Sequence, residues 1–439
     1  MAYLPHHTLT DYLHHAARQH PHRVAVQCGT HSLTYAQLWE QVCYRARSLA
    51  PRRGRAVVFR ASQCIDFVVT YHAIHLAGAV AVPLEATATD GQLSEVGAQL
   101  GDMAFGADIA DILFTTGTTG SCKGVMVSHR AIVANGDNLI QGQGFASDLL
   151  FVITGPLNHL GSLSKLFPVV MCGATLHILE GMKDLGAFFD ALRRAPGRVA
   201  TFLVPAAIRM LLLVGRRQLE EVAHKVDFIE TGAAPMSSSD MLLLSQTLPH
   251  TRLYNTYAST ETGIVATYDY RDDCCEGCVG QALPHTRMRI GPDGTIVCGG
   301  ETLMSGYVGS HPHPPTTAGN EFVTADLGRI DAEGRLHLLG RADDMINTGG
   351  YKVAPTKVED AAMAVDAVAD CICVAGHHPV LGTVPRLLVV TREGQALDRK
   401  ALAQALALQL EPHEVPVQYE QVDAIKRTFN GKPDRKAYR

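Results

Sequence analysis

Thr115, Thr116, Gly117, Thr118, Thr119, Gly120, Ser121, Cys122, Lys123 and Gly124 form one unbroken stretch. Its chemistry is that of an anion cradle. Glycines let the main chain close on a bound anion, hydroxyls and N–H groups donate hydrogen bonds, and Lys123 adds positive charge. The spacing excludes a Walker loop: the second glycine would stand at Cys122, and the lysine is followed by Gly124 rather than Ser or Thr. A plain Ser/Thr turn needs neither this length nor the lysine.

The elements that must position this stretch are legible around it. Ile109–Phe114 reads as a compact apolar strand feeding into it, and the spacing predicts a helix after it. Leu9–Arg18 reads as an amphipathic helix, Arg23–Gln27 and Arg55–Phe59 as strands, and Val199–Val204 and Val226–Ile229 as buried strands. Phe67–Leu84 is nearly apolar but contains His72, His75, Gly78 and Pro83. It therefore reads as helix (Ser62–Leu76), turn and strand (Val80–Val82) rather than a membrane span. Beyond Arg341 the pattern becomes helix (Val358–Val365), strands (Cys371–Ala375 and Arg386–Thr391) and helix (Arg399–Leu410). The expected fold is α/β: a large N-terminal domain of stacked mixed sheets and helices over residues 1–342, and a small, mobile α+β C-terminal domain over 343–439.

The cradle resembles the phosphate-loop signature of the adenylate-forming superfamily: acyl- and aryl-CoA synthetases, nonribosomal-peptide adenylation domains and luciferases. Cys122 stands where the family has proline. Further motifs follow in the family's order. Asn255-Thr256-Tyr257-Ala258-Ser259-Thr260-Glu261 resembles the adenine and magnesium segment, which implies that Tyr257 stacks on adenine and Glu261 holds Mg²⁺, with Asn255, Thr256 and Thr260 at the nucleotide. Ala258 replaces a glycine and narrows the acyl pocket. Thr231-Gly232-Ala233-Ala234-Pro235 resembles the loop along the adenine and the acyl wall. Thr324-Ala325-Asp326 resembles the element whose aspartate accepts from both ribose hydroxyls. Gly340-Arg341-Ala342-Asp343-Asp344 resembles the hinge segment, with Arg341 at the ribose or phosphate and Asp343 as pivot. Gly349-Gly350 falls where the family's thiol-acceptor channel lies. Arg427-Thr428-Phe429-Asn430-Gly431-Lys432 resembles the C-terminal lysine motif, which makes Lys432 the adenylation lysine alongside Lys123, Thr260 and Glu261. Leu33–Leu38 and Gly78–Leu84 also look like family landmarks, but the segment between residues 85 and 114 is shorter than in most members.

The resemblance implies ATP, Mg²⁺ and a small carboxylic acid, with either coenzyme A or the phosphopantetheine of an acyl carrier protein as thiol acceptor. Pro156-Leu157-Asn158-His159 resembles the acyl-channel segment of CoA ligases, placing Asn158 and His159 with Ala258 in the acyl pocket. No aspartate stands between Gly155 and Phe167, so the α-ammonium of an amino acid would lack a counter-ion. A non-catalytic nucleotide sensor would be expected to have lost the charged residues that are all present here.

The remaining composition narrows the field. Thirty-eight Lys+Arg against 43 Asp+Glu give a net charge of −5 over 439 residues, which disfavours nucleic acid as a partner. With 46% hydrophobic and 18% charged residues, the chain is globular rather than disordered. Eleven cysteines without framework spacing, and a start without a signal pattern, predict reduced thiols and a cytoplasmic protein. Cys275 and Cys278 form a C-x₂-C, but no second pair lies at zinc-finger spacing, so no metal other than Mg²⁺ is expected. The oligomeric state is open, a homodimer being one alternative.

Overall fold

Several helices begin on caps written in the sequence. Thr8, Thr34 and Thr89 each accept a hydrogen bond from the main chain three residues on, and Asp11, Gln37 and Gln92 bond back to the threonine main chain. These boxes start the helices Leu9–Gln19, Tyr35–Leu49 and Asp90–Leu100; each cap contributes about 1 kcal/mol. The third helix fills the short segment between residues 85 and 114. The computed structural model describes residues 6–438 except 117–121, 272, 276, 310–315, 318–319, 349–350, 380–381, 393–394 and 428–432.

An eight-stranded sheet forms the centre. Its inner strands Arg252–Ser259, Val226–Gly232, Val199–Leu203, Leu150–Ile153, Thr175–Ile178 and Val24–Cys28 run parallel, and Gly263–Asp269 and His31–Thr34 close the edges antiparallel. Strands buried on both faces read as continuous apolar runs. Phe151 and Ile153 join one apolar cluster while Leu150 and Val152 join the cluster on the opposite face. A five-stranded sheet carries Ala56–Arg60, Val80–Leu84, Ile109–Thr116, Cys122–Ser128 and Gly306–Tyr307. A six-stranded antiparallel sheet contains Glu321–Ile330 and Leu336–Arg341.

The segment after the cradle departs from expectation. Cys122–Ser128 is a strand, paired antiparallel with Ile109–Thr116, and the helix starts only at His129. Val125-Met126-Val127 is a β-branched apolar run whose ends are buried, and that favours extended chain over helix. The cradle thus joins two strands of a hairpin instead of opening a helix. Phe67–Leu84 behaves as read: helix Ile65–Leu76, Gly78 at φ +70°, strand Val80–Leu84. No helix among the described residues is long and apolar enough to cross a membrane.

The small C-terminal domain has its own core. Val368–His378 pairs antiparallel with Gly382–Thr391, which pairs in parallel with Gln418–Gln421. Val358, Leu387, Val389, Leu402 and Leu406 bury together beneath it. Ile346 and Val353, from the hairpin Ile346–Thr348/Tyr351–Val353, join that same core.

One buried polar group in the large domain makes stability depend on pH. His72 is fully buried and neither ring nitrogen has a hydrogen-bond partner. Burial, then the nearby His75, depresses its pKa from 6.5 to about 3. Burial and His75 do the same to His129. His75 itself bonds Asp111 at 2.8 Å, and Asp111 also accepts from Tyr71 at 2.9 Å. Below the ordinary imidazole value the unfolded chain binds protons that the native chain refuses. Stability present above pH 6.5 is therefore lost as pH falls toward 3, by about 1.4 kcal/mol per pH unit for each such histidine. Thermal melts between pH 7 and 5 should show His72→Leu losing less stability than the wild type. Parallel losses in the two proteins would refute this account.

Candidate active site

Tyr257 lies on the strand Arg252–Ser259, and its hydroxyl donates to Asp326 Oδ2 at 2.7 Å. Burial, then the Asp326 charge, raises the phenol pKa far above the usual tyrosine range, so the proton stays in this bond. Asp326 faces Arg341 across the antiparallel pair Glu321–Ile330/Leu336–Arg341, with Arg341 Nη1 3.3 Å from Asp326 Oδ1. Arg341 Nη2 also lies 3.5 Å from Asp343 Oδ2. Tyr257, Asp326, Arg341 and Asp343 therefore form one chain of contacts. Tyr257 is only 6% exposed, leaving little ring face open beyond its hydroxyl bond.

A second chain begins four residues along. Thr260 and Glu261 occupy the turn before Gly263–Asp269, both half-buried. The turn is pinned by reciprocal bonds: Ser259 N–H to Thr262 Oγ1 at 3.2 Å, and Thr262 N–H to Ser259 Oγ at 3.1 Å. Glu261 Oε1 accepts from the Tyr307 hydroxyl at 3.2 Å, and Lys123 Nζ lies 5.3 Å from the Tyr307 ring centroid. Lys123 is exposed and stands opposite Thr115 in the hairpin register. Tyr307 was not singled out from the sequence. Its partners lie 46 and 184 residues away along the chain, and no local motif marks it.

Two expected nucleotide residues have side chains committed to the scaffold. Asn255 Nδ2 donates to the Cys278 carbonyl at 2.9 Å, and Thr256 Oγ1 bonds Gln143 at 3.1 Å and Thr267 at 2.9 Å. Gly232 is where close approach requires glycine: a Cβ there would sit 2.8 Å from the Thr256 carbonyl oxygen. Ala233 follows with φ +67°, a left-handed conformation that costs an alanine about 1–2 kcal/mol. Such strain concentrates at functional turns. Ala234 is half-buried beside it.

On the acyl side, Asn158 is buried with Oδ1 unpartnered, and His159, half-buried, precedes the short helix Leu160–Leu163. Ala258 is half-buried. Sequence reading overlooked the buried pair beside them. Lys165 Nζ meets Glu230 Oε1 at 2.7 Å, both side chains are 1% exposed, and the ammonium lies 5.0 Å from the Phe202 ring centroid. Phe202 also borders Gly161 and Gly232. The available signal was a lysine inside the apolar run Leu163–Met171, a place that demands a partner. Burial lowers the Lys165 pKa, and Glu230 opposes that shift.

Gly117, Thr118, Thr119, Gly120, Gly349, Gly350 and Lys432 lie outside the described residues. Thr116 belongs to the strand Ile109–Thr116. Arg427, which opens the lysine motif, and Pro433, just after it, pair in an antiparallel bridge. Arg427 Nη2 reaches Asp370 Oδ2 at 2.5 Å. Asp370 Oδ1 meets Arg209 of the large domain at 3.1 Å, and Arg209 meets Asp240 at 2.8 Å. This network ties the small domain to the large one.

Comparison with known proteins identifies the family. The profile of the AMP-binding enzyme family matches residues 13–105 and 102–308, and that of the AMP-binding enzyme C-terminal domain matches residues 357–432. The two larger pieces meet inside the short 85–114 segment. Indoleacetate–CoA ligase of Aromatoleum aromaticum is 30% identical over 73% of this chain, which spans 65% of that enzyme's length. Feruloyl-CoA synthase of an Amycolatopsis species is 26% identical, with 95% of each chain covered. ATP-bound MatB of Rhodopseudomonas palustris has the same fold, with a TM-score of 0.88, 24% identity and 98% of both chains covered. With the family profile covering most of the large domain, the chain belongs to the AMP-binding enzyme family.

Proposed function

We propose that the protein activates a carboxylic acid with ATP, releasing pyrophosphate, and passes the acyl group to the thiol of coenzyme A. The observation that carries this reading is the pair of contact chains, Tyr257–Asp326–Arg341 and Lys123–Tyr307–Glu261, issuing from one strand and its following turn. Asp326 accepts from the ribose hydroxyls, Tyr257 fixes Asp326 and borders the adenine, and Gly232, Ala233 and Ala234 offer main chain to the base. Lys123, Thr115, Thr116, Gly117, Thr118, Thr119 and Gly120 hold the phosphates. Glu261 fits Mg²⁺: it is a hard carboxylate whose orientation Tyr307 sets, beside the cradle. When bound, Mg²⁺ neutralises phosphate charge.

The carboxylate attacks the α-phosphorus and pyrophosphate leaves. Two anions must meet, so the barrier is chiefly electrostatic and positional. Lys123 and Lys432 supply fixed positive charge against it. The small domain, residues 343–439, then turns about Asp343, withdrawing Lys432 and presenting Gly349 and Gly350 to the thiol. Ile346 and Val353 belong to the small-domain core, which supports a boundary at 342/343.

The substrate is an acid without an α-ammonium. The buried carboxylate of Glu230 is already neutralised by Lys165 at 2.7 Å and is not available to an ammonium. Asn158 Oδ1, buried and unpartnered, favours an acid carrying a hydrogen-bond donor such as a phenolic hydroxyl.

The test measures pyrophosphate release with ATP, Mg²⁺ and short, medium and aryl acids, with and without coenzyme A. Sustained turnover that requires coenzyme A is expected, fastest with a hydroxylated aryl acid. A burst that coenzyme A does not relieve, but a phosphopantetheinylated carrier protein does, would replace the acceptor. ATP binding without release for any acid would favour a nucleotide sensor.

A further inference from the structure

The chain carries a second cluster of chemically capable side chains, joined to Asn255 by its hydrogen bond to the Cys278 carbonyl. Cys275 and Cys278 lie close together, with Cys278 N–H donating to the Cys275 carbonyl at 3.2 Å. Gly277 between them has φ +63°, and a Cβ there would lie 2.6 Å from the Leu338 carbonyl oxygen. Only glycine lets the chain lie this close to the strand Leu336–Arg341. Leu338 N–H donates to the Gly277 carbonyl at 2.9 Å and fastens the chain there.

This docking brings in a third residue, His337, from a distant part of the chain. Cys278 and His337 are direct cross-strand partners, and Cys275 Sγ lies 3.9 Å from His337 Nδ1. The two sulfurs and a ring nitrogen of His337 all fall within 4.8 Å of one another. In a tetrahedral zinc site with metal–sulfur bonds of about 2.3 Å and metal–nitrogen bonds of about 2.0 Å, such atoms sit roughly 3.5–3.8 Å apart. Small side-chain rotations close the difference.

His337 is also oriented for ligation. Its Nε2 lies 2.8 Å from Asp331 Oδ2, which in turn is held by Arg335 Nε at 2.8 Å. A carboxylate can only accept, so Nε2 donates to Asp331, and in the neutral ring Nδ1, 3.9 Å from Cys275 Sγ, is the nitrogen left to ligate. Carboxylate, imidazole and metal in that order is the arrangement that fixes the tautomer of a ligating histidine.

We propose that Cys275, Cys278 and His337 Nδ1 bind one Zn²⁺, with Asp331 orienting the histidine. Among the described residues no fourth ligand joins the group, so water completes the tetrahedron. The ion staples Cys275 and Cys278 to His337 on the strand that ends in Arg341. Three protein ligands and a water leave the ion one exchangeable position.

The experiment uses full-length protein under reducing conditions, saturated with ZnCl₂, desalted and analysed for metal by mass spectrometry. About one zinc per chain is expected, falling at least about tenfold in Cys275→Ser and unchanged in Cys64→Ser. Co²⁺ replacement in the wild type should give intense tetrahedral visible bands with thiolate charge transfer, a readout independent of how well the variant folds. Negligible zinc in the wild type, zinc retained by Cys275→Ser, or a weak octahedral cobalt spectrum would overturn the proposal. So would a Cys275–Cys278 disulfide that persists in the reduced protein.

Discussion

Lys432→Ala is expected to slow acyl-adenylate formation by about two to three decades, which corresponds to losing roughly 3–4 kcal/mol of preorganised charge stabilisation. The first half-reaction brings a carboxylate against a polyphosphate, and a fixed ammonium counts most where water is excluded. Melting behaviour should stay that of the wild type. The same variant, supplied with acyl-adenylate, should form thioester at close to the normal rate, because the lysine has left the site by then. That split separates a reacting-centre role from general damage. Wild-type adenylation, or equal losses in both half-reactions, would refute the assignment. The surrounding contacts specify what the turn must break. Arg427, the first residue of the lysine motif, holds Asp370, and Asp370 reaches Arg209 on the large domain at 3.1 Å. A domain that rotates about Asp343 must release Arg209 while keeping Arg427.

What the sequence disclosed was local. Gly232, Tyr257, Glu261, Asp326 and Arg341 stand in short motifs whose order survives without any knowledge of contacts. The alternation of buried strands was equally plain, since Val199–Leu203 is buried at every position. The helix Asp90–Leu100 was missed, although Thr89 and Gln92 spell its capping box. Its middle is too polar to announce a core-facing stripe. The contacts that close over long separations stayed hidden. Tyr307 between Lys123 and Glu261, and His337 beside Cys275, depend on sheet register, which no single segment encodes. The helix expected after the cradle failed for a related reason: pairing with Ile109–Thr116 decides the conformation of Cys122–Ser128.

The buried pair Lys165–Glu230 supports the second large effect. Lys165→Met keeps the length of the side chain and its packing on Phe202 but leaves Glu230 as a buried charge without its counter-ion. The expected cost is about 3–5 kcal/mol, read as a lower denaturation midpoint. Glu230→Gln should destabilise too, since it strands the ammonium. The two single variants must respond to pH in opposite directions. An unpaired buried carboxylate regains stability by taking up a proton, so the Lys165→Met deficit shrinks as pH falls from 8 to 5. An unpaired buried lysine regains stability by losing its proton, so the Glu230→Gln deficit shrinks as pH rises. The Lys165→Met/Glu230→Leu double variant carries neither charge and should recover much of the loss, because both desolvation penalties vanish with the attraction. Equal pH responses in the two single variants, or additive losses in the double variant, would show that the pair is not what holds these side chains in the core.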